Sequence, residues 1–187
     1  MWFPMQLAAW FVAMVVLMSV IEHQVHSRLM HKAPRLFFLK RLSGRRKIFT
    51  SHAVKHHGQY REHFHDDPVP SGEDRGIRLN LFEGLLQAAP ISAGLCCVSL
   101  TAAAMFPLVV CLHHVIWNQI HLEMHKPEGR FFCRWAAYRY VARHHFLHHR
   151  HPDKNFNVAF PVGDWLFSTV AVPSAADRLA MEEAGIA

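Results

Sequence analysis

Five histidines fall within eight positions in the stretch ARHHFLHHRHPDKNFN, residues 142–157. The stretch is internal and interrupted, which does not fit an affinity tag and leaves a protonation-sensitive surface or a metal site. His145, His148 and His149 have the spacing H-x2-HH. Residues three and four apart on a helix share one face, about 5–6 Å from each other. The spacing therefore allows several ring nitrogens to point at one ion, and neutral imidazole is a common metal ligand.

Three more histidine clusters occur earlier in the chain. They are H-x4-H at His26 and His31, H-x3-HH at His52, His56 and His57, and H-x3-H at His121 and His125. The H-x3-H pair has the spacing of one helix face. His26 and His31 are five residues apart, so they need a helix end or a distorted helix to converge.

The elements that must position these clusters are predicted from hydropathy. Residues 1–21 and 81–120 are apolar and nearly free of charge, whereas the rest of the chain is rich in His, Arg and Lys. About twenty apolar residues span a bilayer as a helix, so we expect spans at 2–21, 81–98 and 102–120, with a turn near 97–101. A cleaved signal peptide is the alternative for residues 1–21, but they lack a positively charged start and a small-residue cleavage site.

The basic residues predict the orientation of these spans. They follow the first span closely, at Lys32, Arg35, Lys40, Arg41, Arg45, Arg46 and Lys47. Segments rich in Lys and Arg stay in the cytoplasm, so residues 22–78 and 121–169 are expected to form one cytoplasmic helical cap. The tail, residues 170–187, has no assignment. The whole chain of 187 residues is then a single all-α membrane domain of about three transmembrane helices.

Nucleic-acid-binding proteins, and proteins built around disulfides or thiolate-bound zinc, fit the composition less well. The net charge of +6 would suit nucleic acid, but much of it directly follows an apolar segment, which favours a membrane surface instead. Four cysteines are present, at Cys96, Cys97, Cys111 and Cys133. Their spacing fits neither a disulfide framework nor a thiolate zinc site.

All four histidine clusters fall at one membrane face in this topology, although the topology was derived without them. Ten buried imidazoles without metal would each need hydrogen-bond partners, and their protonation would place like charges together. Ten ligands exceed the needs of one tetrahedral ion. Two ions with four or five ligands each would use them.

The ordered clusters resemble those of the integral-membrane fatty acid hydroxylase and sterol desaturase superfamily. Glu22 stands four residues before His26 and Arg28 follows it, as in the first motif of that family, although Ser27 intervenes here. The stretch NFNVAFPVGDWLFST, residues 155–169, is similar to the closing motif of the family. The resemblance runs from about residue 22 to residue 169.

The resemblance implies an O2-dependent attack on an unactivated C–H bond of a lipid at a histidine-bound di-iron centre. The metal ligands and catalytic residues it implies are His26, His31, His52, His56, His57, His121, His125, His145, His148 and His149. Zinc can replace iron at such a site. The lipid would enter from the bilayer. An external ferredoxin or cytochrome-type donor would supply electrons, because the sequence has no flavin, haem or iron–sulfur motif.

The sequence also departs from that family, and alternatives stay open. The second cluster is H-x3-HH where many relatives have H-x2-HH. Carotenoid hydroxylases are similarly short but tend to have H-x4-H as their third cluster, which favours a fatty acyl substrate over a carotenoid or sterol. Hydroxylation and desaturation are not separable from the ligands. A metal-handling or transport protein and a pH-responsive lipid-binding protein are the alternatives outside this enzyme class.

Several polar residues remain with two interpretations each. His63 and His65 are expected in a solvated loop, and His144 could replace His145 as a ligand. His113 and His114 lie inside a predicted span, where an ionisable group is a functional candidate or a partner for a neighbouring helix. Four more could orient ligands or water, or play ordinary capping or solvated roles: Asn118, Asn157, Glu123 and Asp153. The remaining histidines, His23 and His151, have no assignment.

Overall fold

A computed structural model describes residues 2–33, 43–61, 63–66 and 78–186. Within these ranges the chain is helical and has no β-strand, which confirms the predicted all-α class. The described α-helices of five or more residues are α1 (Trp2–Val25), α2 (Ser43–Phe49), α3 (Leu81–Cys96), α4 (Leu100–His125), α5 (Ala136–Arg150), α6 (Val162–Leu166) and α7 (Ala175–Glu183). Three of the predicted cytoplasmic basic residues, Arg35, Lys40 and Arg41, lie outside the described residues.

Two helical segments in the described chain are long and apolar enough to cross a membrane. They are Phe3–Met30, with 28 residues, and Leu100–His125, with 26 residues. The expected span at 81–98 corresponds to α3, which has 16 residues. At 1.5 Å per residue α3 is about 24 Å long, shorter than a hydrocarbon core of ~30 Å. The α3–α4 turn follows Cys96, within the predicted range, and Ser99 caps α4 by accepting a hydrogen bond from the Ala102 N–H.

The three apolar helices pack on each other through a core of their own. Its buried residues are Met14, Met18, Ala88, Ala102, Phe106, Val109 and Val110. The outer flanks of α1 and α4 instead expose large apolar side chains such as Val12, Leu108 and Val115. Inward packing and apolar outer flanks are the pattern of helices that meet a nonpolar solvent.

The polar half of the molecule has a second core, which joins the end of α4 to α5, α7 and the segment after α5. Its buried residues are Phe64, Trp117, Met124, Val141, Ala142, Phe146, Leu147, Val158, Ala159 and Met181. The previously unassigned tail contributes through α7. Ser174 and Asp177 form a capping box at its start, and the buried Asp177 carboxylate accepts a hydrogen bond from Arg150 on α5. The tail is therefore part of the packed structure.

Candidate metal centre

Nine of the ten predicted ligand histidines converge into two groups. Within each group, one ring nitrogen of every histidine lies within 4.8 Å of those of the other members. The first histidine group is His26, His31, His52, His57 and His148. The second histidine group is His56, His125, His145 and His149. Both groups lie where the two long apolar helices end, since His26 follows α1 and His125 is the last residue of α4.

Two π-helical turns bring together the histidines that are five residues apart. His26–Met30 is π-helical, and the His31 N–H donates to the His26 carbonyl at 3.1 Å. Thr50–His56 is also π-helical, and the His57 N–H donates to the His52 carbonyl. Because a π-helix joins residue i to residue i+5, each pair meets on one face, with ring centroids 5.0 Å and 4.9 Å apart. This is the distortion that the H-x4-H spacing requires.

Each HH pair is divided between the two groups. His57 belongs to the first group and His56 to the second, and likewise His148 to the first and His149 to the second. Neighbouring residues on a helix point about 100° apart, so an adjacent pair can serve two ions that lie side by side. The groups touch where the rings of His57 and His149 stack with centroids 4.4 Å apart. The structure therefore gives a physical reason for the doubled histidines.

Backbone carbonyls orient three of the rings. The Nδ1–H of His26 donates to the Phe156 carbonyl, that of His148 to the Lys154 carbonyl at 2.6 Å, and that of His125 to the Phe64 carbonyl at 2.9 Å. A neutral ring that donates from Nδ1 has a bare lone pair on Nε2. Such a carbonyl partner is the usual outer support of a metal-bound histidine, because it fixes the tautomer and the ring plane.

The inward-facing nitrogens are spaced as ligands of shared ions would be. The Nε2 atoms of His31 and His148 are 3.0 Å apart, and those of His125 and His149 each lie 3.1 Å from His145 Nε2. Two nitrogens bound to one ion at about 2.1 Å are about 3.0–3.4 Å apart for tetrahedral or octahedral angles. The His26 and His52 Nε2 atoms are slightly closer, at 2.7 Å. The nitrogens could hold a metal ion in each group.

Buried nitrogens without partners also fit metal binding. Both ring nitrogens of His56 and the Nε2 of His57 are buried and have no hydrogen-bond partner among the described residues. Leaving a buried polar atom unpaired costs about 1–3 kcal/mol. A metal ion in each group would satisfy the bare nitrogens that face inward, so the donor set fits two ions.

Burial keeps these imidazoles neutral. It lowers the pKa of His31 to about 4 and that of His57 to about 3. Burial, followed by the like charges of neighbouring histidines, places the pKa of His52, His56 and His145 well below 6.5. The neutral ring is the form that binds a metal. Near pH 7 the site therefore presents lone pairs without a deprotonation cost.

His121, the tenth predicted ligand, lies beside the second group but outside the nine. Its ring centroid is 4.7 Å from that of His145 and 4.8 Å from that of His125. The Trp117 ring lies against it, with centroids 4.1 Å apart. The structure thus places His121 in contact with the site, one helical turn before His125 on α4.

The segment after α5 is held by the fully buried Asp164, which sequence reasoning had not singled out. Its carboxylate accepts hydrogen bonds from the Phe156 and Asn157 N–H groups at 2.8 and 2.7 Å, and from His144 Nε2 at 2.9 Å. The Thr169 hydroxyl donates to it as well. Asp164 therefore fixes the backbone that presents the Phe156 carbonyl to His26. Asp164 lies inside the quoted NFNVAFPVGDWLFST stretch. The backbone carbonyl that it positions can belong to any residue type, so the sequence does not indicate this role.

The structure separates the alternatives for several other histidines. His145 joins the second group, whereas His144 pairs with Asp164. His63 is exposed, as expected. The expectation for His65 is wrong, because its ring nitrogens lie 2.7 Å from the Met124 carbonyl and 3.0 Å from the Ala184 carbonyl. These contacts fasten the tail to the end of α4.

The other four histidines lie outside the two groups. His23 Nε2 donates to the Thr169 hydroxyl at 2.9 Å, and His151 Nε2 lies 3.1 Å from the Asp177 carboxylate. His113 Nε2 is 3.8 Å from the Glu22 carboxylate. His114 packs over Gly84 on α3, where a Cβ would come within 2.2 Å of its ring. His113 and His114 thus lie against neighbouring helices.

The four other polar candidates differ in role. Asn118 holds the chain before α3 through Leu79, and Glu123 accepts hydrogen bonds from the loop after α4, including the Gly129 N–H at 2.9 Å. Asp153 is exposed. Asn157 is buried and donates to Glu22 at 3.0 Å, so it links the Asp164 segment to α1.

Comparison of the chain with protein-family models, with curated proteins and with solved structures finds no match.

Proposed function

We propose that the protein is a membrane-bound di-iron oxygenase that hydroxylates a C–H bond of a lipid, a fatty acyl chain being the favoured substrate. The observation that carries the proposal is the pair of buried histidine groups, side by side, with carbonyls behind the rings and bare nitrogens in front. Two iron ions held there would supply the activation of O2 that such a reaction needs.

The protein residues would bind the ions, fix their separation and exclude water. The first group would hold one ion and the second group the other, with His121 beside the second. Insertion of one oxygen atom into a C–H bond consumes O2, two electrons and two protons and yields water as well as the alcohol. The electrons would come from an external ferredoxin or cytochrome-type donor.

The location of the groups supports a lipid substrate. Both groups lie at the ends of the long apolar segments Phe3–Met30 and Leu100–His125, which contribute His26 and His125. A lipid acyl chain would enter the site from the bilayer next to these ends. Exposed basic residues on the same half, such as Arg46, Lys47 and Arg139, favour its placement on the cytoplasmic side. A transporter would instead place its ligands near the middle of the spans.

The test is an assay of purified, iron-loaded protein in lipid nanodiscs, with a chemical reductant and a surrogate ferredoxin, under 18O2. Mass spectrometry of the extracted lipids is expected to show one added 18O in a lipid product. The product should be absent with His148→Ala and present with His63→Ala, which changes an exposed histidine. Metal uptake into vesicles with no oxygen-dependent product from any lipid class would overturn the enzyme and favour metal transport.

A further inference from the structure

Helix α6 and the residue after it expose three consecutive large apolar side chains. Trp165 is 56% exposed, Leu166 is 61% exposed and Phe167 is 47% exposed. Contiguous exposed apolar surface on a folded protein usually marks a contact with a partner or a membrane.

The position of α6 is fixed against α1. The Gly163 N–H donates to the Ser19 hydroxyl at 3.0 Å, and the Ser19 hydroxyl donates to the Phe160 carbonyl. The backbones are so close that a Cβ on Gly163 would lie 2.7 Å from His23 Cβ and 2.9 Å from the Ser19 carbonyl oxygen. The exposed run therefore lies at the height of residues 19–23 of α1.

This height lies within the stretch over which the exposed flanks of the two long helices change from apolar to polar. On α1 the exposed side chains include Val16, and the next exposed side chain is Arg28, three turns later in the π-helical turn that follows α1. On α4 they include Val115, and Gln119 is exposed one turn later. The change from apolar to polar marks the depth at which a spanning helix leaves the hydrocarbon.

A hydrogen bond aligns the two helices at that depth. Trp117 Nε1 on α4 donates to the Glu22 carboxylate on α1 at 2.9 Å. Glu22 lies within residues 19–23 next to α6, and Trp117 lies between Val115 and Gln119. Both helices thus place the boundary level with α6.

We propose that Trp165, Leu166 and Phe167 insert into the boundary between headgroups and acyl chains of the bilayer. Tryptophan favours this depth because its ring is apolar and its N–H is polar. The partner is a lipid surface rather than a protein, because the exposed run lies level with the stretch in which the apolar flanks of both long helices end. The inference rests on the membrane arrangement of the proposed function and not on its chemistry.

The insertion would link the bilayer to the first histidine group. The opposite face of α6 carries the buried Asp164, which holds the Phe156 and Asn157 backbone. The Phe167 ring also stacks on His23, with centroids 4.6 Å apart. Lipid contact on one face of α6 would press its other face against the segment that supports His26.

The test places a nitroxide spin label at one of three positions of the full chain. A background without native cysteines would carry Cys133→Ser, which retains a donor for Glu123, with the other three changed to Ala. The labels follow Leu166→Cys, Val12→Cys on the exposed flank of α1, and Asp153→Cys on an exposed polar loop. Power-saturation electron paramagnetic resonance in nanodiscs, without paramagnetic metal, then compares collisions with O2, which concentrates in the bilayer, and with a water-soluble nickel chelate.

The label at 166 is expected to show an O2-to-nickel collision ratio severalfold above that at 153 and below that at 12. A ratio at 166 equal to that at 153 would overturn the proposal. Low collision with both reagents, together with dipolar broadening, would overturn it in favour of a contact between two copies of the chain. If the label at 12 also behaves like the one at 153, the membrane arrangement itself fails, which is a separate result.

A second measurement covers the case in which Leu166→Cys does not fold. Lipids brominated near the carbonyl are expected to quench the fluorescence of the wild-type protein more than that of Trp165→Phe. Equal fractional quenching of the two proteins would contradict insertion of Trp165. Trp10 on α1 remains in both proteins as the reporter of spanning.

Discussion

The main-chain N–H of His31 donates to the carbonyl oxygen of His26 at 3.1 Å, and this i→i+5 bond places their rings 5.0 Å apart. His57 and His52 repeat the relationship in a second π-helical turn. The H-x4-H cluster and the outer pair of the H-x3-HH cluster therefore have the same local structure. In each case a π-helical turn brings two histidines that are five residues apart onto one face of the helix, as often occurs at functional sites.

The division of the HH pairs predicts that adjacent histidines serve different ions. His148→Ala should weaken metal binding at the first group, and His149→Ala at the second, each by 10-fold or more. Cobalt substitution followed by optical spectroscopy is the measurement, because the two variants should lose different components of the ligand-field spectrum. His63→Ala is the control with both components intact. Loss of one and the same component in both variants would show that the doubled histidines serve one ion.

Asp164 is expected to position the first histidine group without touching it. In Asp164→Asn the amide can no longer accept from both backbone N–H groups and His144 as the carboxylate does, so the Phe156 carbonyl should shift from His26. Loss of outer support typically costs about 10–100-fold in metal affinity. Chelator competition should therefore show weaker binding of one ion and an unchanged second ion.

The matched control is Asp177→Asn, which also alters a buried, multiply hydrogen-bonded carboxylate, but on α7. It is expected to lower thermal stability while leaving both metal affinities near wild type. Equal weakening of both ions in Asp164→Asn would indicate general loosening of the fold instead of a positioning role.

Gly163→Ala should loosen α6 from α1. The added Cβ would lie 2.6 Å from Asn157 Oδ1 and 2.9 Å from the Ser19 carbonyl, so backbone must move. Overpacking of this kind costs about 1–3 kcal/mol. A lower melting temperature in detergent is expected, whereas Gly58→Ala, where a Cβ meets nothing within 4 Å, should change it little. Equal melting temperatures for the two variants would argue against close docking of α6.

The metal-free protein should lose stability as the pH falls below 6.5. Above that value His31 and His57 are neutral in both the folded and the unfolded chain. Below it the two histidines bind protons in the unfolded chain but stay neutral in the folded chain, until the pH reaches their folded pKa values of about 4 and 3. The free energy of unfolding should therefore decrease between pH 6.5 and 4.

Thermal melts of chelator-treated protein across this range are the measurement. The double variant His31→Ala with His57→Ala should show a shallower decrease than wild type, because two of the responsible groups are gone. His63→Ala should keep the wild-type slope. Stability that is flat from pH 6.5 to 4 would mean that the site opens to water without metal.

The coarse fold and the histidine clusters were accessible from sequence because hydropathy and helical spacing are local properties. The α3–α4 turn lies in the predicted range for the same reason. The expected span at 81–98 differs in length, since α3 has only 16 residues and is shorter than a bilayer core, which composition alone did not indicate.

The finer organisation of the site depends on tertiary contacts that no local pattern encodes. Which histidine joins which group follows from how α5 packs against the π-helical turns. The carbonyls of Phe64, Lys154 and Phe156 act through the backbone, so their residue types reveal nothing. The role of the tail in the core emerges only when Met181 is seen packed beside α5 and the end of α4.

The most direct test of the account is the metal content of purified, iron-supplied protein, measured by elemental analysis beside a His148→Ala, His149→Ala double variant. Each group would lose one ligand in the double variant while α5 keeps its other contacts. Two buried groups predict about two metal ions per chain in the wild type and markedly fewer in the double variant. A well-folded wild-type protein without stoichiometric metal, or a double variant that still binds two ions, would contradict the two-metal site.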